Sequence, residues 1–149
     1  DEAEYILLEA YKISKDCGYN MNLFPIRIHL GRLYTETGNF PSAINIYKEY
    51  LNEREKPGGE FFMNDVIAGF GRIFYERKKY IEAVKLFGLI ESLSKGGKIK
   101  PLNKNFNLRD AEKDNILNEL GEEEYNKYCN EGNEMKLNDA VLICINIDN

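Results

Sequence analysis

The chain has 149 residues, of which 43% are hydrophobic and 30% charged, with a net charge of −5. That is enough for one compact domain or a short array of repeats around a core, and too apolar for a disordered chain. The acidic balance argues against direct nucleic-acid binding, which normally uses a basic face. No apolar run approaches the roughly 18 residues of a membrane span.

Cys17, Cys129 and Cys144 are odd in number and widely spaced. This predicts free thiols in a cytoplasmic protein, with neither a disulfide framework nor a cysteine metal site. The chain opens at Asp1 with no initiating Met and no signal peptide, and enters helix-like sequence at once. A fragment from within a longer protein is therefore expected.

In chain order, residues 1–17 carry one helical pattern with Ala3, Leu7 and Ala10 on one face. The next stretch, about 22–54, carries two. The first holds Leu30, Gly31 and Tyr34 and stops at Gly38, a left-handed cap. The second is capped by Asn39, tolerates Pro41 in its first turn, and presents Ala43, Tyr47 and Tyr50. Glu53 to Glu60 (EREKPGGE) reads as a breaker-rich loop. Residues 61–95 repeat the pair, with Phe70, Gly71 and Phe74, then Ala83, Phe87 and Ile90.

The offsets are regular. Ala3, Ala43 and Ala83 are evenly spaced, and Gly31 and Gly71 stand at the same interval. Each unit is a helix pair, in which a small residue lets the helices approach and large residues fill the groove to the next pair. Lys78 takes the place of Gly38 in the second pair and is a poorer terminator. Tyr34, Tyr47, Tyr50 and Tyr80 fall on packing positions.

Residues 101–149 predict a three-helix cap that closes the open end of the stack. Asn107 with Asp110 caps a helix to Leu120, Gly121 stops it, and Glu122 to Glu124 begin another that ends near Gly132. Leu137 to Ile147 form the last, apolar on most sides and so expected to be covered. A strand through VLICINI is the alternative, given its β-branched content.

The segment LGRLYTETGNFPSAINIYKEYL resembles a tetratricopeptide repeat through Leu30, Gly31, Tyr34, Gly38, Asn39, Ala43 and Tyr47. Phe70 to Phe87 match less fully, and the first segment is similar to the second helix of a preceding repeat. The spacing of 40 exceeds the family's usual period of about 34. It is similar to repeats in large bacterial signalling ATPases and regulators. Leu120 to Glu123, Tyr125, Glu131 with Gly132, and Leu137 with Ala140 and Val141 resemble the closing segment of such regions. Cys129 replaces a common Trp there, and Lys136 a capping Ser.

The resemblance implies an all-α, right-handed superhelical array of antiparallel helix pairs with a C-terminal helical cap. It implies a non-catalytic interaction scaffold, a sensing or regulatory part of a multidomain signalling protein. The expected partner is a protein, a peptide or another domain of the parent chain. A structural spacer or homodimerisation segment is the alternative, and the sequence leaves the oligomeric state open.

On the family's pattern the groove is lined by Pro25, Ile28, Arg32 and Thr35, and one repeat later by Asp65, Ala68, Arg72 and Tyr75. Two stacked guanidinium groups can grip a carboxylate bidentately. The other reading is i,i+4 pairing with Glu36 and Glu76, worth only tenths of a kcal/mol. Ile28 and Arg32 stand where the chaperone-tail clamp of the family needs other residues, so that activity is not expected. His29, the single histidine, and Cys17 read as surface or structural residues. Gly58–Gly59 and Gly96–Gly97 lack the strand and the Lys-Ser/Thr ending of a phosphate loop. No enzyme, cofactor or metal is expected.

Overall fold

A computed structural model describes residues 2–59, 61–95 and 108–148. Among the described residues there are eight α-helices and no strand, packed in helix pairs. The helices are α1 (Glu2–Asp16), α2 (Asn20–Glu36), α3 (Phe40–Glu53), α4 (Met63–Glu76), α5 (Tyr80–Lys95), α6 (Asp110–Leu120), α7 (Glu122–Glu134) and α8 (Leu137–Ile145). The chain forms two compact units, Asp1–Gly69 and Phe70–Asn149.

In the first unit α1 packs on α2 and α2 on α3. Gly18 and Gly38 close α1 and α2 with φ of 71° and 76°, a region that glycine enters without a Cβ penalty. Asn39 Oδ1 accepts the Ser42 N–H at 3.4 Å, which caps α3 as its sequence implies. The core centres on Tyr47, fully buried between two glycines. A Cβ on Gly31 would lie 2.2 Å from Tyr47 Cε1, and one on Gly69 would lie 2.5 Å from Cε2. The ring of α3 thus lies directly on the bare backbones of α2 and of the first turns of α4.

Tyr50 explains the breaker-rich loop. Its hydroxyl donates to the Gly59 carbonyl and accepts the Phe62 N–H at 3.2 Å. Its ring meets Phe24 edge-on at 5.1 Å. Gly58 and Gly59 are buried, and a Cβ on Gly59 would lie 2.3 Å from the Arg54 carbonyl oxygen. The loop is therefore folded inward and pinned, not simply a surface spacer. A polar network ties the three helices on another side. Arg27, only 3% exposed, bonds Glu53 at 2.7 Å and lies 3.7 Å from Glu49, which accepts the Tyr11 hydroxyl at 2.6 Å.

In the second unit Phe87 of α5 repeats the ring-on-glycine contact more loosely. A Cβ on Gly71 would stand 3.1 Å from its ring. Lys78 adopts φ of 59° between α4 and α5, the left-handed turn that Gly38 makes at the equivalent place. The densest packing is α5 against α7. There a Cβ on Gly132 would lie 2.2 Å from the Lys85 carbonyl oxygen, and one on Gly88 2.6 Å from that of Cys129. α7 ends at Glu134, near Gly132 as its sequence position implied, and Gly132 itself serves for backbone contact. Beside it Lys85 Nζ bonds Glu131 at 2.7 Å.

VLICINI is helical, not extended, through Ile145. Ala140, Val141 and Cys144 face inward, while Leu142 stays 57% exposed, so one side of α8 is uncovered. Lys136 supplies no side-chain cap to α8. Asn107, the expected cap of α6, lies outside the described residues, as do Gly96 and Gly97. Within them Glu112 accepts the Arg109 N–H at 2.9 Å and closes the first turn.

The two glycine contacts predict unequal responses. Gly31→Ala gains about 1 kcal/mol of helix propensity but forces a methyl into Tyr47, for an expected net loss of about 2 kcal/mol. Gly71→Ala, with 3.1 Å available, should lose well under half of that. Tyr47→Leu, the residue at the equivalent position 7, should make Gly31→Ala nearly neutral in the double variant. Urea midpoints of wild type and these four variants check this, and equal losses at Gly31 and Gly71 would refute it.

Candidate functional site

The groove positions of the first unit come together, but mostly out of reach of solvent. Ile28, Asp65 and Ala68 are buried, whereas Arg32 and Thr35 keep partial exposure and Pro25 is partly covered. Thr35 donates its hydroxyl to the Gly31 carbonyl at 2.7 Å and lies against the Tyr47 phenol. Arg32 reaches Glu36 at 3.9 Å, the i,i+4 pair that the spacing allows. Its charge is also felt at Asp65 and Tyr47.

Asp65 is the unusual group. It sits in the first turn of α4, where the backbone favours negative charge. Yet burial pushes its carboxyl up to about 6 against the pull of Arg32 and of its own backbone N–H. Its neighbour Asn64 is buried too, with neither amide atom hydrogen-bonded among the described residues. The start of α4 therefore buries two polar side chains at some cost to stability. Burial also pushes the Tyr47 hydroxyl far up, so it stays neutral.

Arg72 and Tyr75 belong to the second unit, and both meet α6. Arg72 bonds Glu112, which is 4% exposed, and lies over the Phe87 ring at 5.9 Å. Tyr75 accepts the Asn115 amide at 3.2 Å and lies 5.8 Å from Tyr80, whose hydroxyl is 3.4 Å from the same amide. Arg109 joins Arg72 on the Glu112 carboxylate. Burial alone would raise the Glu112 carboxyl, but hydrogen bonds from Arg72 and Arg109 outweigh it and hold it at about 2. The partner of Arg72 is thus a carboxylate of α6, distant in sequence, where the spacing also offered Glu76.

The remaining reactive side chains are dispersed. His29 and Cys17 are exposed, as are Glu122, Glu123 and Glu124 at the start of α7. All three cysteines are free thiols; burial pushes Cys144 far up, and Cys129 is raised by burial and by Glu91. Among the described residues no group of three or more His, Cys, Asp or Glu is placed to hold a metal ion. No helix among them is long and apolar enough to cross a membrane. Sequence reasoning missed Arg27 and Glu112. Arg27 had a signal, a charge between Ile26 and Ile28 on an otherwise apolar stretch. Glu112 had none that told it from the other carboxylates of α6.

Compared with family models, curated proteins and solved structures, the chain has no match.

Asp65 and Glu112 act on stability in opposite senses. Asp65 has a folded value raised from 3.8, so its stabilising contribution is present below pH ~4 and is lost as pH rises through about 6. Glu112 has a value lowered from 4.5, so its contribution is present above that and is lost as pH falls toward about 2. Asp65→Asn should therefore stabilise the protein at pH 7.5 by about 2 kcal/mol, allowing for solvent screening, and by less than about 1 kcal/mol at pH 4. Paired urea titrations at the two pH values measure this. A gain that is the same at both would show that Asp65 ionises freely in the folded chain.

Proposed function

We propose that the chain is a non-catalytic interaction scaffold: a right-handed tetratricopeptide-like stack that works in the cytoplasm as a sensing or regulatory part of a multidomain bacterial regulator. The observation that carries this reading is the recurrence of one packing module at a fixed interval along the chain. Gly31 lies under Tyr47, and Gly71 under Phe87. A module that repeats adds surface without adding chemistry, which suits binding more than turnover. The partner is a protein or peptide, or another domain of the parent chain. Occupancy would act by favouring one state of the parent over another.

Arg32 is the residue to test, because charge reversal at Arg72 would disturb Glu112 and the second unit itself. Wild type and Arg32→Glu, matched for helicity, are used as baits in lysate of the source cells. The reading expects one protein retained by wild type and lost by the variant, with binding reproduced from purified components. Identical retention by both baits, or none, would remove the support.

A second reading, a spacer or homodimerisation segment, rests on the uncovered apolar faces of α8 and α1. Leu142 is 57% and Ile145 39% exposed, and Tyr5 and Ile6 are 67% and 57% exposed. It expects a mass by light scattering that doubles with concentration and returns to the monomer value in Leu142→Lys. A constant monomer mass would exclude the homodimer.

A further inference from the structure

The second unit contains a surface that already holds a ligand, and the ligand is its own helix α6. The surface is built from Arg72 and Tyr75 of α4 with Tyr80 and Phe87 of α5. A guanidinium lies over one ring, and two tyrosine hydroxyls stand close enough to share one amide. α6 presents three side chains at helical spacing: the Glu112 carboxylate to Arg72, the Asn115 amide to Tyr75 and Tyr80, and Ile116, which is fully buried. Residues i, i+3 and i+4 lie on one face of a helix, so this is recognition of a helix by one stripe.

α6 is anchored at few points. Of its eleven residues only Glu112 and Ile116 are buried. The contacts of Asn115 are exposed to solvent. Contrast α7, whose backbone touches that of α5 through Gly88 and Gly132. α6 joins α7 through Gly121, at φ 81° and ψ 159°, a conformation open to glycine and almost nothing else. An arginine at this register also has carboxylate company in the first unit, where Arg32 lies near Glu36 and acts on Asp65.

We propose that α6 is an exchangeable internal occupant of this surface, and that the surface takes in its place an acidic amphipathic helix of a partner protein. That helix would carry a carboxylate, an amide three residues on and an aliphatic residue four on, matching Glu112, Asn115 and Ile116. The proposal deepens the scaffold reading and rests on it, but its test uses no cellular partner, so the two can fail separately. Competition sets the apparent affinity: an external helix binds only the fraction of chains in which α6 is away.

The probe is a labelled synthetic peptide with the sequence of residues 108–121, LRDAEKDNILNELG. It is titrated by fluorescence anisotropy into the full chain and into the full chain with Ile116→Asp, which unseats α6. The variant should bind the peptide at least ~10-fold more tightly than wild type. A peptide with Glu112→Arg should lose binding to that variant, and should regain it on Ile116→Asp/Arg72→Glu. Equal binding to wild type and variant, or none to either, or binding indifferent to the charge swap, would overturn the proposal. Amide hydrogen exchange on the wild-type chain guards against a variant that merely misfolds. The α6 amides should exchange at least ~10-fold faster than those of α5 and α7, and equal protection would overturn the proposal whatever the titration gives.

Discussion

A tyrosine ring laid on bare helix backbone sets the geometry of the first unit. Tyr47 fills the space that two side chains would otherwise take, one at Gly31 and one at Gly69. Ring and backbone then meet at van der Waals distance over a wide area, where dispersion is collectively strong. Once that contact is fixed, α3 has little freedom to rotate, and Tyr50 one turn on is delivered to Phe24 and to the Gly59 loop. The second unit uses the same device with a smaller interpenetration at Gly71 and Phe87. It then goes further at α5 and α7, where Gly88 and Gly132 leave no side chain between the backbones.

Local signals were legible in the sequence because their physics is local. The turn at Gly38, the Asn39 cap and the stop at Gly121 each follow from a few adjacent residues, and Lys78 follows from the register of Gly38. The repeat of Gly31 and Gly71, and of Tyr47 and Phe87, was visible because the same packing problem recurs at a fixed spacing. The end of α7 near Gly132 was legible too, but the close approach at that glycine was not. A glycine near the end of a helical pattern has two uses, as a terminator or as a place of close approach. Only the presence of Lys85 opposite decides between them. The loop from Glu53 to Glu60 carries breakers, and nothing within it says that a hydroxyl from Tyr50 will hold it inward.

The groove positions divide along the same line. Their register followed from the repeat, but their exposure did not, because burial depends on which other segments arrive. Asp65 carries a charge-bearing group into a position closed to solvent, and its carboxyl answers by holding its proton to higher pH. Glu112 is buried as well and moves the other way, because two guanidinium groups and an N–H meet it. Burial alone therefore does not give the sign; the donors present at the site do. Glu112 also has two tasks, since one oxygen closes the first turn of α6 while the other meets Arg72. Folding of that turn and its attachment to α4 are consequently a single event and not two.

The contact at Tyr47 has a further consequence, for the paths by which this sequence can change over generations. Positions 31, 47 and 69 are far apart along the chain but share one volume. A larger residue at either glycine is blocked while the ring is present, so the ring must shrink first. Position 7, which carries Leu where position 47 carries Tyr, marks a smaller residue that this register already accepts elsewhere in the chain. Divergent descendants should therefore have lost the tyrosine before either glycine, and the reverse order is a route the molecule closes to itself.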